Sequence, residues 1–232
     1  MAEREGVEPM DIHANIRTYL DGNGAAGGLK PDERYASFDY CYNYFRSFRE
    51  QERVQELASP ENIQVSCLHL GFYLASWGML RGSSLLLQKS ARYYRPVIQS
   101  VANLPMAFWD VDVDRYDDNV EMILECSRMI RQAIGQGRDT TDTLVTKILL
   151  GVFGNVPAFD TYFKAGMGTY SFGRKSLRRI AEFYRANRSE LDQYQIRTLD
   201  FATGQETDRV YPMAKLIDMV CFVEGMRPSP RH

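Results

Sequence analysis

Histidine is scarce in this chain: only His13, His69 and His232 occur in 232 residues. Metal centres and catalytic triads built on histidine are therefore not expected. Cysteine is scarce too. Cys41, Cys67, Cys126 and Cys221 lie far apart, without the paired spacings that zinc ligation or thiol redox chemistry uses, which fits a reducing compartment. Long apolar runs are also missing. The longest, Cys67 to Leu80, is broken by His69 and Ser76 and is too short to cross a bilayer. The opening stretch, Met1 to Met10, is polar and acidic and lacks the apolar centre of a secretory signal. These absences predict a cytoplasmic protein with no membrane partner and a loose tail over 1–10.

What is present suffices for a real core. Apolar residues make up 44% of the chain and charged residues 25%, which excludes wholesale disorder. The length suits one domain over 11–232, with 11–105 and 106–232 as candidate helical lobes. Helices are predicted at 11–20, from Pro31 onward, from Ser59-Pro60 onward, and at 91–103, 119–136, 141–153, 157–165, 173–186, 189–201 and 210–225. No series of alternating strands and no 20–50-residue repeat is visible. The expected fold is all-α, a compact globular array of about 8–10 helices. Gly22 to Gly28 reads as a flexible turn. Tyr35, Phe38, Tyr42 and Phe45 fall on one helical face. Cys67, Gly71, Ala75, Gly78 and Gly82 form a stripe of small side chains, which predicts close approach of a neighbouring helix or a ligand.

A net charge of −2 conceals an uneven distribution. Asp110 to Glu125 holds seven acidic residues and one basic residue, whereas Lys164 to Arg188 holds seven basic residues and one acidic residue. The basic run is either a solvated helix face or a phosphate-binding one. In the acidic run, Asp110, Asp112, Asp114, Asp118 and Glu121 occupy the ligand positions of a calcium-binding loop. Arg115 stands where that loop needs glycine, and Asp117 where it favours an apolar residue. A solvated acidic turn is the better expectation, and no metal is predicted.

The most informative stretch is TLVTKILLGVFGNVPAFDTYF, Thr143 to Phe163. An apolar helix with Leu149 and Leu150 leads through a short loop containing Gly154 to Ala158-Phe159-Asp160. This resembles the helix-hairpin-helix DNA glycosylases, in which a similar helix and loop lead to an aspartate at the start of the next helix. In that family the aspartate is catalytic, so the resemblance assigns the role to Asp160. Upstream, Ile134-Gly135-Gln136-Gly137 can be laid on that family's hairpin, where Gly135 and Gly137 would offer N–H groups to a DNA phosphate. The lysine that bifunctional members carry just after the hairpin is replaced by Arg138 and Asp139, and Lys147 lies mid-helix, out of register. A monofunctional enzyme is therefore implied.

Asp160 is equally suited to capping a helix N-terminus. The two roles are compatible, because a carboxylate oriented there can also stabilise an oxocarbenium-like sugar. Asp39 is a second catalytic candidate. It lies four residues before Asn43, so the two share a face that can read a base edge. Tyr42, Asn43, Trp77 and Arg81 are candidates for a base pocket, and Arg174, Lys175, Arg178 and Arg179 for phosphate contacts.

The reading as a whole is a DNA glycosylase that flips a modified base out of double-stranded DNA and hydrolyses its N-glycosidic bond. It would act without a cofactor, as a monomer, in repair or in defence against phage DNA. The rival readings are a non-catalytic helical module that binds nucleic acid or protein, and a metal-dependent enzyme using the acidic loop.

Overall fold

A computed structural model describes residues 10–22, 27–82 and 84–227. The expected tail before Met10, most of the glycine turn, Ser83 and His232 lie outside these residues. The fold is all-α with one small β-ribbon. Among the described residues ten α-helices follow in order: α1 (Ile12–Asp21), α2 (Ala36–Glu50), α3 (Ile63–Ser76), α4 (Arg95–Asn103), α5 (Met106–Trp109), α6 (Tyr116–Gly135), α7 (Asp142–Phe153), α8 (Thr161–Met167), α9 (Arg174–Leu191) and α10 (Met213–Met226). Strands β1 (Arg197–Leu199) and β2 (Glu206–Val210) pair antiparallel between α9 and α10. One hydrophobic cluster draws residues from both halves of the chain, including Phe38, Leu70, Val97, Ile130, Leu149 and Met219. Among the described residues no helix is long and apolar enough to cross a membrane.

Two helices form the centre. Every residue of α7 from Leu144 to Phe153 is buried, as is every residue of α10 from Ala214 to Val223. A helix that is apolar on all sides belongs inside a protein. Thr141 caps α7 by accepting the Leu144 N–H at 3.2 Å. Gly154 ends it with φ +69°, where a Cβ would press on Tyr42 and Pro212, so only glycine fits. Helix α8 lies tightly on α10: a Cβ on Gly166 would collide with the Cys221 carbonyl, and one on Gly225 with the Tyr162 carbonyl. These two glycines let the backbones meet.

The structure departs from the sequence expectations in several places: the helix expected over 157–165 starts at Thr161, and the one expected over 91–103 begins with a 3-10 turn over Ala91–Tyr94. Helix α3 begins at Ile63, a turn later than the Ser59-Pro60 signal. Ser59 contributes its backbone carbonyl to the Ile63 N–H at 2.9 Å. Helix α3 also ends at Ser76, so Gly78 and Gly82 lie beyond it at φ +75° and +59°. Of the small-residue stripe, Gly71 is the tight point, packed against the Tyr94 ring. Finally, the helix expected over 189–201 is instead the end of α9, a turn and β1. Side chains of α2 satisfy the polar edge of that strand.

Candidate active site

Asp160 is the N-cap of α8, with φ −82° and ψ −179°, and its Oδ1 accepts the Phe163 N–H at 3.0 Å. The preceding loop is buried from Gly154 to Phe159 and held at both ends. Tyr116 Oη donates to the Asn155 carbonyl at 2.6 Å, and Asn155 Nδ2 donates to the Phe108 carbonyl at 2.9 Å. The Ala158 N–H donates to Asp218 Oδ1 at 2.9 Å, and the Phe159 N–H to Thr146 Oγ1 at 2.8 Å. The second carboxylate oxygen of Asp160, Oδ2, faces Lys147 Nζ at 3.6 Å. Lys147, which looked out of register in the sequence, is thus the cation nearest the candidate carboxylate. Its Nζ also donates to the Trp77 carbonyl at 2.8 Å. Burial pushes its pKa below the usual lysine value, an effect that Asp160 and Asp218 oppose.

A second pair lies beside the first. Lys215 and Asp218, on α10, are both buried, with Nζ to Oδ2 at 3.3 Å. Lys215 Nζ donates to Tyr19 Oη at 2.9 Å and stands 4.8 Å from the ring centres of Tyr19 and Phe38. Burial lowers the lysine pKa and raises that of Asp218, and each partner counters the shift of the other. Two buried ion pairs are an expensive way to stabilise a core, because desolvation offsets most of their attraction. Buried charges gathered around one cavity are found both at functional sites and in structural ion-pair networks.

The rings of Tyr73, Trp77 and Phe222 line this cavity, and Trp77 is backed by further aromatic rings. Tyr19 stacks on Tyr35 at 4.2 Å, Tyr35 lies parallel to Trp77 at 5.5 Å, and Phe222 meets Trp77 edge-on at 5.8 Å. The Arg34 guanidinium covers Trp77 from outside at 5.2 Å. Tyr73, Trp77, Lys147, Asp160, Lys215 and Asp218 enclose a space of about 10 Å³, room for about one water molecule. Trp77 Nε1 is buried with no hydrogen-bond partner among the described residues.

Of the residues predicted for the site, Asp160 and Trp77 line this cavity. Arg81 is exposed just past α3, and its charge reaches Lys147. Asp39, Tyr42 and Asn43 do not line it. Asp39 is fully buried, accepting the Leu199 N–H at 2.9 Å and the Tyr211 hydroxyl. Asn43 donates to the Leu199 carbonyl at 2.9 Å, while its Oδ1 takes Thr198 Oγ1 at 2.8 Å and Arg209 at 2.7 Å. The shared face of Asp39 and Asn43 does read a polar edge, but the edge is the Leu199 peptide. Tyr42 is buried on Phe38 beside Gly154.

Sequence reasoning missed Lys215 and Asp218. Their signal was a pair of opposite charges three apart inside the otherwise apolar MAKLIDMVCFV.

The two charged runs partly cancel one another. Arg174 pairs with Glu121, and Arg185 with Asp117 at 2.5 Å, across the α6–α9 contact. Arg179 Nε donates to the Met167 carbonyl at 2.7 Å, and Lys175 and Arg178 are exposed. Gly135 is the buried last residue of α6, whereas Gly137 is exposed at φ +84°.

The acidic run does not converge. Asp110 pairs with Arg46 and Arg49, and Asp112 caps α10 by accepting the Met213 and Ala214 N–H groups at 2.6 and 2.9 Å. Among the described residues no three His, Cys, Asp or Glu side chains are gathered around a metal position.

No family model matches the chain, and no curated protein or solved structure matches it either.

Proposed function

We propose that the protein is a DNA glycosylase which hydrolyses the N-glycosidic bond of an extruded, modified nucleotide, with Asp160 as the electrostatic catalyst. The observation that carries this reading is the placement of Asp160. One carboxylate oxygen is fixed by the helix it caps, and the other faces Lys147 at the edge of an aromatic-walled cavity.

The chain path supports it. Helix α6, a short turn, helix α7 and a rigid loop lead to the aspartate, the order found in the helix-hairpin-helix glycosylases that the sequence resembles. In the reaction the C1′–N bond breaks and its electron pair leaves with the base, which takes up a proton. Water adds to C1′ and gives a proton to solvent. A carboxylate opposite C1′ stabilises the cationic sugar between these events, a contribution typically of several kcal/mol. The Trp77 ring, which lines the cavity, suits stacking on a flipped base. The polynucleotide substrate, a monomeric state and a role in repair or phage defence belong to the same proposal.

The closed cavity favours one rival, a non-catalytic helical module in which the ion pairs only lock α7, α8 and α10 together. Incubation with natively modified and unmodified DNAs, followed by alkaline cleavage, separates the two. Strand breaks at modified positions are expected. Intact strands in every modified DNA would leave the non-catalytic module.

A further inference from the structure

From Asn62 to Trp109 the sequence contains no aspartate or glutamate, although the chain carries 30 acidic residues in all. The same stretch holds Arg81, Lys89, Arg92 and Arg95. Three of these cations gather where two 3-10 turns, Leu85–Gln88 and Ala91–Tyr94, lead into α4. Arg92 and Arg95 are exposed and three residues apart, so they project from one face. With Ser90 they form a ridge between two depressions. One, of about 400 Å³, lies against Ile63, Cys67 and Leu68 of α3. The other, of about 450 Å³, is bounded by Lys89, Tyr93 and Gln136.

This second depression reaches the turn that follows α6. Gln136 Nε2 donates to the Tyr93 carbonyl at 3.1 Å, and Tyr93 Oη donates to the Ile134 carbonyl at 2.9 Å. Lys89 Nζ rests 5.4 Å from the centre of the Tyr93 ring. Beneath the ridge, Tyr94 is buried against Gly71, which gives the cations a firm base. Among the described residues, no carboxylate pairs with Lys89, Arg92 or Arg95. On α9, Arg174, Arg185 and Arg188 are each paired with an acidic side chain, and Lys175 and Arg178 are exposed cations left between them.

We propose that the DNA backbone is seated on this ridge, with Lys89, Arg92 and Arg95 binding consecutive phosphates. The inference rests on the DNA reading above and relocates its phosphate contacts from α9 to the segment before α4. Cations that no carboxylate pairs with keep most of their potential for a polyanion. Guanidinium groups also match phosphate oxygens in pairs. Each phosphate so neutralised releases counterions from the duplex, which makes binding steeply salt-dependent.

The test is fluorescence anisotropy of a short unmodified duplex titrated with the full chain over a range of sodium chloride. The variants are Lys89→Gln/Arg92→Gln/Arg95→Gln and, for α9, Lys175→Gln/Arg178→Gln. The triple variant is expected to bind about tenfold or more weakly at low salt, and its log–log slope to fall by about 0.9 for each phosphate it no longer neutralises. The α9 pair should change affinity less than about twofold, as for surface charges away from the duplex. An unchanged slope in the triple variant, or a larger loss in the α9 pair, would overturn the seat. Displacement of the duplex by millimolar inorganic phosphate at constant ionic strength would also overturn it, in favour of a small-anion site. If the triple variant loses binding while wild-type protein leaves no abasic sites in modified DNA, the seat stands and the excision reading falls. If abasic sites form and the triple variant binds like wild type, the seat falls and the excision reading stands.

Discussion

Asp39 and Asp160 are both carboxylates that the sequence offers for catalysis, and they occupy opposite kinds of surroundings. Asp39 has no exposure, and each of its oxygens already accepts a protein donor, the Leu199 N–H on one side and the Tyr211 hydroxyl on the other. Asp160 gives one oxygen to its own helix and turns the other toward Lys147 and the cavity. Burial alone therefore does not separate a carboxylate with spare capacity from a fully engaged one. The distinction lies in how many lone pairs the fold has left uncommitted. A fully satisfied buried acid fastens elements together, in this case β1 to α2, whereas an acid that holds one hydrogen bond and one longer ion-pair contact beside a cavity keeps lone-pair capacity.

The largest expected effect tests that contrast directly. Asp160→Asn should lower base excision by about two orders of magnitude or more, because it removes negative charge opposite a developing sugar cation. Its amide oxygen still accepts the Phe163 N–H, so the melting temperature should hold. Near-normal excision by a folded Asp160→Asn protein would take Asp160 out of the reaction.

Asp39→Ala should do the reverse, costing about 3 kcal/mol in urea unfolding. It strands a buried N–H and a buried hydroxyl, each worth about 1–3 kcal/mol. Excision by the fraction that remains folded should persist. A stability loss below about 1 kcal/mol, the usual net worth of one hydrogen bond, would show that Asp39 does not fasten the ribbon.

Next in size is a dependence on pH. Burial raises the Asp39 carboxyl to about 7, against the hydrogen bonds from Tyr211 and Leu199, and raises that of Asp112 to about 6. Each group holds its proton more tightly in the folded state than in the unfolded chain, where carboxyls titrate near 4. Their stabilising contribution is therefore complete below about pH 4 and is lost as pH rises through 6 to 7. Wild-type protein should lose about 2 kcal/mol more than Asp39→Asn between pH 5 and 7. Parallel curves for the two proteins would remove Asp39 from the titration.

The smallest expected effect is the cap itself. Asp160→Ala should cost about 1 kcal/mol relative to Asp160→Asn, the usual value of an N-cap side chain. Equal stabilities would mean that the loop, rather than the cap, fixes the start of α8.

Much of the fold was legible because helices announce themselves locally. Thr141 and Gly154 bracket α7 as a cap and a left-handed terminus, and the apolar content of α7 and α10 foretold burial. The ribbon was illegible for the opposite reason. β1 is three residues long, and its polar edge is met by Asp39 and Asn43, more than 150 positions earlier. The candidate site divided in the same way. Asp160 followed from a local motif, while Lys147 gained its meaning only when the loop curled back to place the two side chains 3.6 Å apart. Lys215 and Asp218 were visible as charges in an apolar helix, but nothing local pointed them toward Trp77. The acidic and basic runs, each legible alone, meet across α6 and α9 through Arg174–Glu121 and Arg185–Asp117.

The stacked rings of Tyr19, Tyr35 and Trp77 have a consequence for how a ligand is admitted. With space for about one water, the cavity as it stands admits no base, so on the excision reading a base enters only a rarer form in which a lining side chain such as the Trp77 indole has moved aside. If that form is about one molecule in a hundred, measured affinity is weakened about a hundredfold relative to the open pocket. A base that gains only as much as the displaced indole loses never shifts the balance. On the excision reading, discrimination among nucleotides thus begins at the gate, before any of them reaches Asp160.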